Sequence, residues 1–386
     1  MTSTLITGIS ELTTNDGELG RRNDAALVIE ADRVVWVGQA AHVPAADVLS
    51  DVDGRAVLPG WVDSHSHLLF AGDRTAEFTA RMAGQQYQAG GIATTVRATR
   101  DAGDDVLAAN LANEVRMARS AGTTCLETKT GYGLTVADER RAARIAAAQV
   151  DEVTFLGAHL VPPESAMDSY LDLLCGEMLD AVAPYVRWCD VFCEAGAFDE
   201  SQSRRVLAAA AEHGLGLRVH GNQLGQGPGV GLAVEMGAAS VDHCTHISSS
   251  DVDALAGSAT VATLLPACDL STRQPLAPAR RLIDAGATIS LASNCNPGSS
   301  YTSSMAFCVA TAVLQMGLSV AEAVRAATWG GARALRRASG DGAVGVLRPG
   351  ARADLQVLDA PSATHLAYRP GMPLTRAVWR AGARIR

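Results

Sequence analysis

The chain is poor in aromatic residues, at 4%, and in charge, at 19% of 386 residues. Against 48% hydrophobic residues, that little charge excludes a long disordered chain, which would be rich in charge and poor in apolar side chains. Basic residues are in deficit, 32 against 41 acidic, for a net charge of −9. A phosphate-binding partner needs a basic face, so no nucleic acid is expected. No run approaches the roughly 18 consecutive apolar residues of a membrane span, and no membrane partner is expected. The N-terminal MTSTLITGISEL lacks a basic head and an apolar core, so it does not read as a secretory signal. The eight cysteines (125, 175, 189, 193, 244, 268, 295 and 308) contain no C-x-x-C pair and lie in apolar segments. They read as buried reduced thiols, and the expected location is cytoplasmic.

Eight β-branched, apolar runs follow residue 58: Trp61–Phe70, Thr123–Thr130, Val153–Leu160, Val186–Glu194, Leu215–His220, Ser240–His243, Thr260–Pro266 and Thr288–Ala292. Helical patterns separate most of them, such as Asp104–Ser120, Asp138–Val150, Ser201–Glu212 and Ala277–Ala285. Gly122, Gly214, Gly237 and Gly286 stand just before strands, where a helix C-cap wants a left-handed residue. Eight strand–helix units predict an α/β fold, a (β/α)8 TIM-type barrel; an open doubly wound sheet is the alternative. The ends differ. Ala25–Ala31 and Arg33–Gly38 read as strands, as do Asp354–Leu358 and Ala377–Arg380, with no helix pattern in either end. The expected organisation is a small β-sandwich domain from residues 1–58 and 345–386, with a catalytic barrel over 59–344 inserted between.

Histidine is scarce, nine in all, so its placement is informative. His65-Ser66-His67 closes an apolar run, and residues i and i+2 of a strand share a face. His159, His220 and His243 end three later strands, and Asn294 ends the eighth. In a barrel those ends converge at one mouth, where active sites sit. His65, His67 and His220 predict a nitrogen-rich, partly open metal site, suited to Zn, Fe(II), Mn or Co. Such an ion lowers the pKa of bound water toward about 7 and favours attack on a polarised C=O or C=N bond.

These residues carry a resemblance. PGWVDSHSH, with the later histidines and the strand-8 position, is similar to the amidohydrolase superfamily. HLLFAGDRTAEF, GGIATTVRATR, ETKTGYGLT, VTFLGAHLVPPE, DVFCEAGAFD, HGNQLG, SVDHCTH and CNPGSSYTSSM resemble, within it, the members that open a propionate-bearing imidazolone ring. The terminal GVLRPGARADLQVLDAP resembles the superfamily's small β domain. The resemblance implies hydrolysis of 4-imidazolone-5-propanoate to N-formimidoyl-L-glutamate. It implies one divalent ion, Zn or Fe, on His65, His67 and His220 with position 294 beside it. His243 would polarise or hold the substrate carbonyl or the hydroxide. Arg74 would take the substrate's carboxylate arm, with Tyr132 and His159 at the same end; a surface pair with Glu77 is the plain alternative for Arg74. Asn296 and Gly298 would hydrogen-bond the ring amide, and Gln223 would sit near the ring and the nucleophilic water. Glu127 and Lys129 would form an ion pair at one side of the mouth with no catalytic task. The resemblance also implies a homodimer.

Position 294 departs from the pattern. The superfamily carries Asp there, as metal-proximal carboxylate and proton shuttle, and this chain has Asn294. A carboxamide carries no charge and accepts no proton at neutral pH. General acid–base catalysis is typically worth about 10²–10⁴-fold, so the expectation is impaired turnover and weaker metal binding. Three readings stay open: an engineered change, a paralogue that uses another base on a related ring, and a relative that binds without turnover. Ser66, Gly221, Ala267 and Asp269 are smaller departures, two of them around the strand-7 mouth.

Overall fold

The computed structural model describes residues 2–84 and 91–386. Gly90, which opens the GGIATTVRATR segment, lies outside the described residues. Among the described residues there are fifteen strands. The first four are β1 (Ser3–Thr13), β2 (Arg21–Glu30), β3 (Arg33–Gln39) and β4 (Val48–Pro59). Next come β5 (Trp61–Asp63), β6 (Thr123–Lys129), β7 (Glu152–Ala158), β8 (Trp188–Cys193), β9 (Gly216–Gly221), β10 (Ser240–His243), β11 (Val261–Leu264) and β12 (Ile289–Leu291). The last are β13 (Leu355–Leu358), β14 (Thr375–Arg380) and β15 (Ala383–Arg384).

Strands β5 to β12 form one eight-stranded sheet in sequence order, and the pairs resolved from β6 onward are all parallel. Strand β5 is shorter than the apolar run that predicts it, ending at Asp63. Its ladder nevertheless continues through the histidine motif. Asn294 N–H donates to His65 C=O and His67 N–H to Cys295 C=O, both at 2.9 Å, while Lys129 N–H donates to Ser66 C=O at 2.9 Å. One segment is therefore bonded to the end of β6 on one side and to the residues after β12 on the other. The sheet is a closed barrel, not an open doubly wound one. Strands β6, β7, β8, β10, β11 and β12 are buried at every residue, as parallel strands covered on both faces must be.

The helical patterns hold up. Asp104–Ser120 has the predicted ends, and the other three shift by one to three residues. Gly122, Gly214, Gly237 and Gly286 all take positive φ, as the C-cap reading requires. Helix Glu200–Glu212 opens with a capping box, in which the Asp199 carboxylate and the Gln202 amide satisfy each other's backbone N–H.

The terminal strands form a seven-stranded mixed sheet, in the order β15-β14-β13-β4-β1-β2-β3. Ile6, Leu27, Val57, Val357 and Trp379 share one apolar cluster, so both halves of the sheet face a common core, as in a sandwich. A short helix, His365–Tyr368, interrupts the C-terminal strands where no helix was expected; four residues carry too little periodicity to be read. Two compact units result: Met1–Ser64 with Arg116–Cys125 and Ser304–Arg386, and His65–Val115 with Leu126–Ser303.

Asp199→Ala removes the cap of the 13-residue helix Glu200–Glu212. It should cost about 1 kcal/mol, read as a lowered denaturation midpoint with an unchanged m-value.

Candidate active site

The predicted residues meet in the second unit. His67, Arg74, Tyr132, His159, His220, Gln223, His243, Asn294 and Asn296 line one cavity at the C-terminal ends of the barrel strands. His65 lies behind the lining and is fully buried. Gly298 is not in the lining. Ile92, Phe192 and Ser299 complete it.

His65, His67 and His220 present ring nitrogens within 4.8 Å of one another. His65 Nε2 and His67 Nε2 face each other at 3.3 Å. Two nitrogens on a tetrahedral ion with bonds of about 2.0–2.1 Å would stand about 3.3–3.4 Å apart, so this donor set fits a metal. Two aspartates orient the rings. His65 Nδ1 donates to Asp242 Oδ2 at 2.6 Å, which leaves Nε2 as the lone-pair nitrogen. His220 Nδ1 lies 3.0 Å from Asp190 Oδ2, and His220 N–H donates to Asp190 Oδ1 at 3.1 Å. Ser66 is held by Glu127: its N–H donates to the carboxylate at 3.0 Å and its hydroxyl to the Glu127 carbonyl at 2.5 Å.

Burial sets the protonation of the rings. It lowers His65 to about 3, helped by the Lys129 charge and opposed by Asp242. It lowers His159 to about 4, with His220 adding to the effect. His67 and His243 also fall well below the ordinary histidine value, burial first in each case. These rings are therefore neutral, the form that can donate a lone pair to a metal. His159 Nδ1 lies 3.0 Å from the Gly131 carbonyl, an acceptor only, so Nδ1 carries the hydrogen and Nε2 is bare.

Strain gathers at the same end of the barrel. Asn222, His243, Cys244 and Asn294 all have positive φ, between 51° and 82°. Residues other than glycine take such a backbone at a cost, and it is characteristic of functional sites.

Arg74 combines both readings made for it. Its Nε and Nη2 each reach the Glu77 carboxylate at 2.8 Å, yet its side chain is 3% exposed and lines the cavity. Nη1 has no hydrogen bond among the described residues, so the Nη1/Nη2 edge of the fork remains available. A Cβ at Gly91 or Gly298 would strike the guanidinium. Arg81 braces the arrangement: it donates to the Gly298 carbonyl at 3.1 Å from both Nη atoms, to Ser271 C=O at 2.8 Å, and stands 3.6 Å from Glu77.

Asn296 and Gly298, expected at the ring, form the turn beside Arg74, with Asn296 in the cavity lining. The Asn296 amide is spent inside its own turn, accepting from Gly298 N–H and Ser299 N–H at 2.8 Å and donating to Asn294 C=O at 2.6 Å. Gly298 has both backbone groups occupied and serves as a surface for Arg74. Glu127 and Lys129 are also not at the mouth: both are fully buried behind the histidines.

Sequence reading passed over Asp190, Arg81 and Glu139. Glu139 is buried and accepts from Gly131, Gly133 and Leu134 N–H at 2.8–3.0 Å, which shapes the loop that carries Tyr132. The signal was present, since a carboxylate six to eight residues after a Gly-x-Gly turn can fold back on its N–H groups. Asp190 and Arg81 act across the fold, and no local pattern marks them.

Histidines held below their ordinary value contribute stability that is full above about pH 6.5 and is lost as pH falls toward the folded value. In the metal-free protein, Tm should therefore drop more between pH 6.5 and 4.5 for the wild type than for His159→Gln. Parallel profiles would show that His159 titrates freely in the fold.

The amidohydrolase family profile matches residues 56–382. Imidazolonepropionase from Saccharopolyspora erythraea is 74% identical over 385 residues, covering 100% of this chain and 99% of that protein. Imidazolonepropionase from Streptomyces coelicolor is 61% identical over 390 residues, covering 99% of each. Among solved structures, an adenosine deaminase from Xanthomonas campestris with bound zinc superposes with a TM-score of 0.74 at 18% identity, over 99% of this chain and 92% of that one. A mutant atrazine chlorohydrolase from Arthrobacter aurescens TC1, complexed with zinc and atraton, gives 0.72 at 20% identity, over 99% and 95%. These two bear on the fold alone. With the profile spanning most of the chain and the relatives spanning all of it, the protein belongs to the amidohydrolase family, on its imidazolonepropionase branch.

Proposed function

We propose that this chain hydrolyses 4-imidazolone-5-propanoate to N-formimidoyl-L-glutamate, a step of histidine degradation. One divalent ion, zinc or iron, is held by His65, His67 and His220, with the Asn294 carboxamide beside it. The observation that carries this reading is Arg74: a buried guanidinium with a free edge, in the same cavity as His67, His220 and His243. A ring that carries a carboxylate arm fits a pocket with a cation at one end and imidazoles at the other. The related-ring and non-catalytic readings of Asn294 are not favoured, given whole-length identity to curated imidazolonepropionases.

When bound, the ion supplies Lewis acidity and lowers the pKa of a water toward about 7. The chain's own residues do the rest. Arg74 takes the arm's carboxylate through its Nη1/Nη2 edge while Glu77 fixes the other edge. Tyr132 and His159 close that end against water. Gln223 is fixed by its backbone N–H on the Glu194 carboxylate, at 2.5 Å, which aims its amide into the cavity. Hydrolysis adds OH to the ring carbon and a proton to the departing ring nitrogen, so one group must carry that proton. Asn294 cannot. His243 is neutral and lines the cavity, and it is assigned the transfer.

In support of the division into a terminal β domain (1–58 and 345–386) and a catalytic barrel (59–344), the seven-stranded sheet draws on both chain ends alone. A cytoplasmic location is supported by eight free cysteines, seven of them buried. Among the described residues no helix is long and apolar enough to cross a membrane. A homodimer is proposed on the resemblance.

The test is turnover of freshly generated imidazolone propionate, followed in the ultraviolet. His243→Gln should lower kcat by about 10²–10⁴-fold with little change in KM. Retention of more than a tenth of kcat would remove His243 from proton transfer. Arg74→Met and Gly298→Ala should both raise KM, the first by losing the cation and the second by displacing it. Equal KM for all three chains would place the carboxylate elsewhere.

A further inference from the structure

Lys129 is the only lysine in the sequence; every other basic residue is arginine. It is also fully buried, at 0% exposure. Burying an ammonium costs several kcal/mol unless it is paired and hydrogen-bonded. Here three carboxylates surround it. Lys129 Nζ lies 3.0 Å from Glu127 Oε1, 2.9 Å from Asp190 Oδ2 and 3.9 Å from Asp242 Oδ2. An ammonium offers three donors around a point charge, which suits three convergent carboxylates better than a planar guanidinium does.

Those carboxylates are the ones that hold the candidate metal ligands. Asp190 Oδ2 faces His220 Nδ1, Asp242 Oδ2 accepts from His65 Nδ1, and Glu127 holds Ser66 between His65 and His67. His65, Asp190 and Asp242 also place ligand atoms within 4.8 Å of one another, so without the lysine they could themselves gather a cation. The Lys129 ammonium stands among them in that role. Arg218 adds a second cation, 3.2 Å from Asp242.

We propose that Lys129 is a positioning residue for the metal centre: its ammonium gathers Asp190, Asp242 and Glu127 so that all three histidines turn toward one ion. This rests on the metal reading above. It assigns Lys129 no contact with substrate. Loss of the ammonium leaves the carboxylates to repel one another, and the His65 and His220 rings lose their fixed direction.

The single lysine makes the test direct. In a chain labelled with ε-¹⁵N lysine, one side-chain ammonium resonance should appear, protected from exchange with water, and it should shift when zinc is added to the metal-free protein. In parallel, Lys129→Met should weaken zinc binding by about 10–100-fold in chelator competition, the range expected for partners of metal ligands, and alter the visible spectrum of the cobalt-substituted protein. An unmoved resonance overturns the proposal, as does a folded Lys129→Met protein with wild-type zinc affinity and an unchanged cobalt spectrum. Should Lys129→Met fail to fold, the resonance of the wild-type chain decides. If His67→Ala and His220→Ala both keep full zinc affinity, the metal reading fails instead, and that result is distinct.

Discussion

The constraint on which the catalytic half depends is a buried ionic cluster beneath the histidines. Glu127, Asp190 and Asp242 bring three negative charges, and Lys129 and Arg218 bring two positive ones, all at 0% exposure. Buried charges persist only when paired, so each member must find its partners or the barrel pays the full desolvation penalty. The pairing crosses strands β6, β8, β9 and β10 and reaches the motif that follows β5. It therefore holds the barrel closed and the imidazoles in direction at once. The cluster carries one negative charge in excess, three minus two, immediately behind the ring nitrogens of His65, His67 and His220. A divalent cation is the complement of that arrangement.

This bears on Asn294. A carboxylate at that position would place negative charge directly beside the ion. Here negative charge sits one layer back, on Asp242, hydrogen-bonded to the His65 ring, and on Asp190, whose Oδ2 lies 3.0 Å from His220 Nδ1. The burial that raises Asp190 and Asp242 is outweighed by their positive neighbours, and both stay ionised. The histidine end thus stands on strand termini with charge in the core beneath it. The Arg74 end is built differently. Arg74, Glu77, Arg81 and the turn at Gly298 come from loops and a short helix, tied by a bidentate ion pair and by carbonyl contacts. Arg74 is locked by packing against glycine surfaces as much as by charge, so its direction is fixed before a ligand arrives.

Much of this was legible in local pattern, because much of it is local physics. The i, i+2 spacing of His65 and His67 is a property of extended backbone, and it holds even though regular strand ends at Asp63. Glycines before strands mark helix ends because only they accept the left-handed turn cheaply. Alternating strand and helix patterns determine a parallel sheet, and eight of them a barrel, whose C-terminal mouth collects whatever ends the strands. The short helix His365–Tyr368 had too few residues to show a period.

By itself, then, the sequence determined the barrel, the place of the site and the residue types that meet there. Only tertiary structure decided what each does. Lys129 and Glu127 alternate along one strand, which reads equally well as a rim pair or a buried one; the closure of the barrel put them behind the histidines. Which partners the Asn296 and Gly298 polar groups take was decided by the fold, which brings Arg81 to the Gly298 carbonyl and Gly298 N–H to the Asn296 side chain. A side chain's chemistry is written in its type, but its partner is set by residues tens or hundreds of positions away. Burial then makes that partnership obligatory, because an unpaired group in the core costs more than the fold can spare.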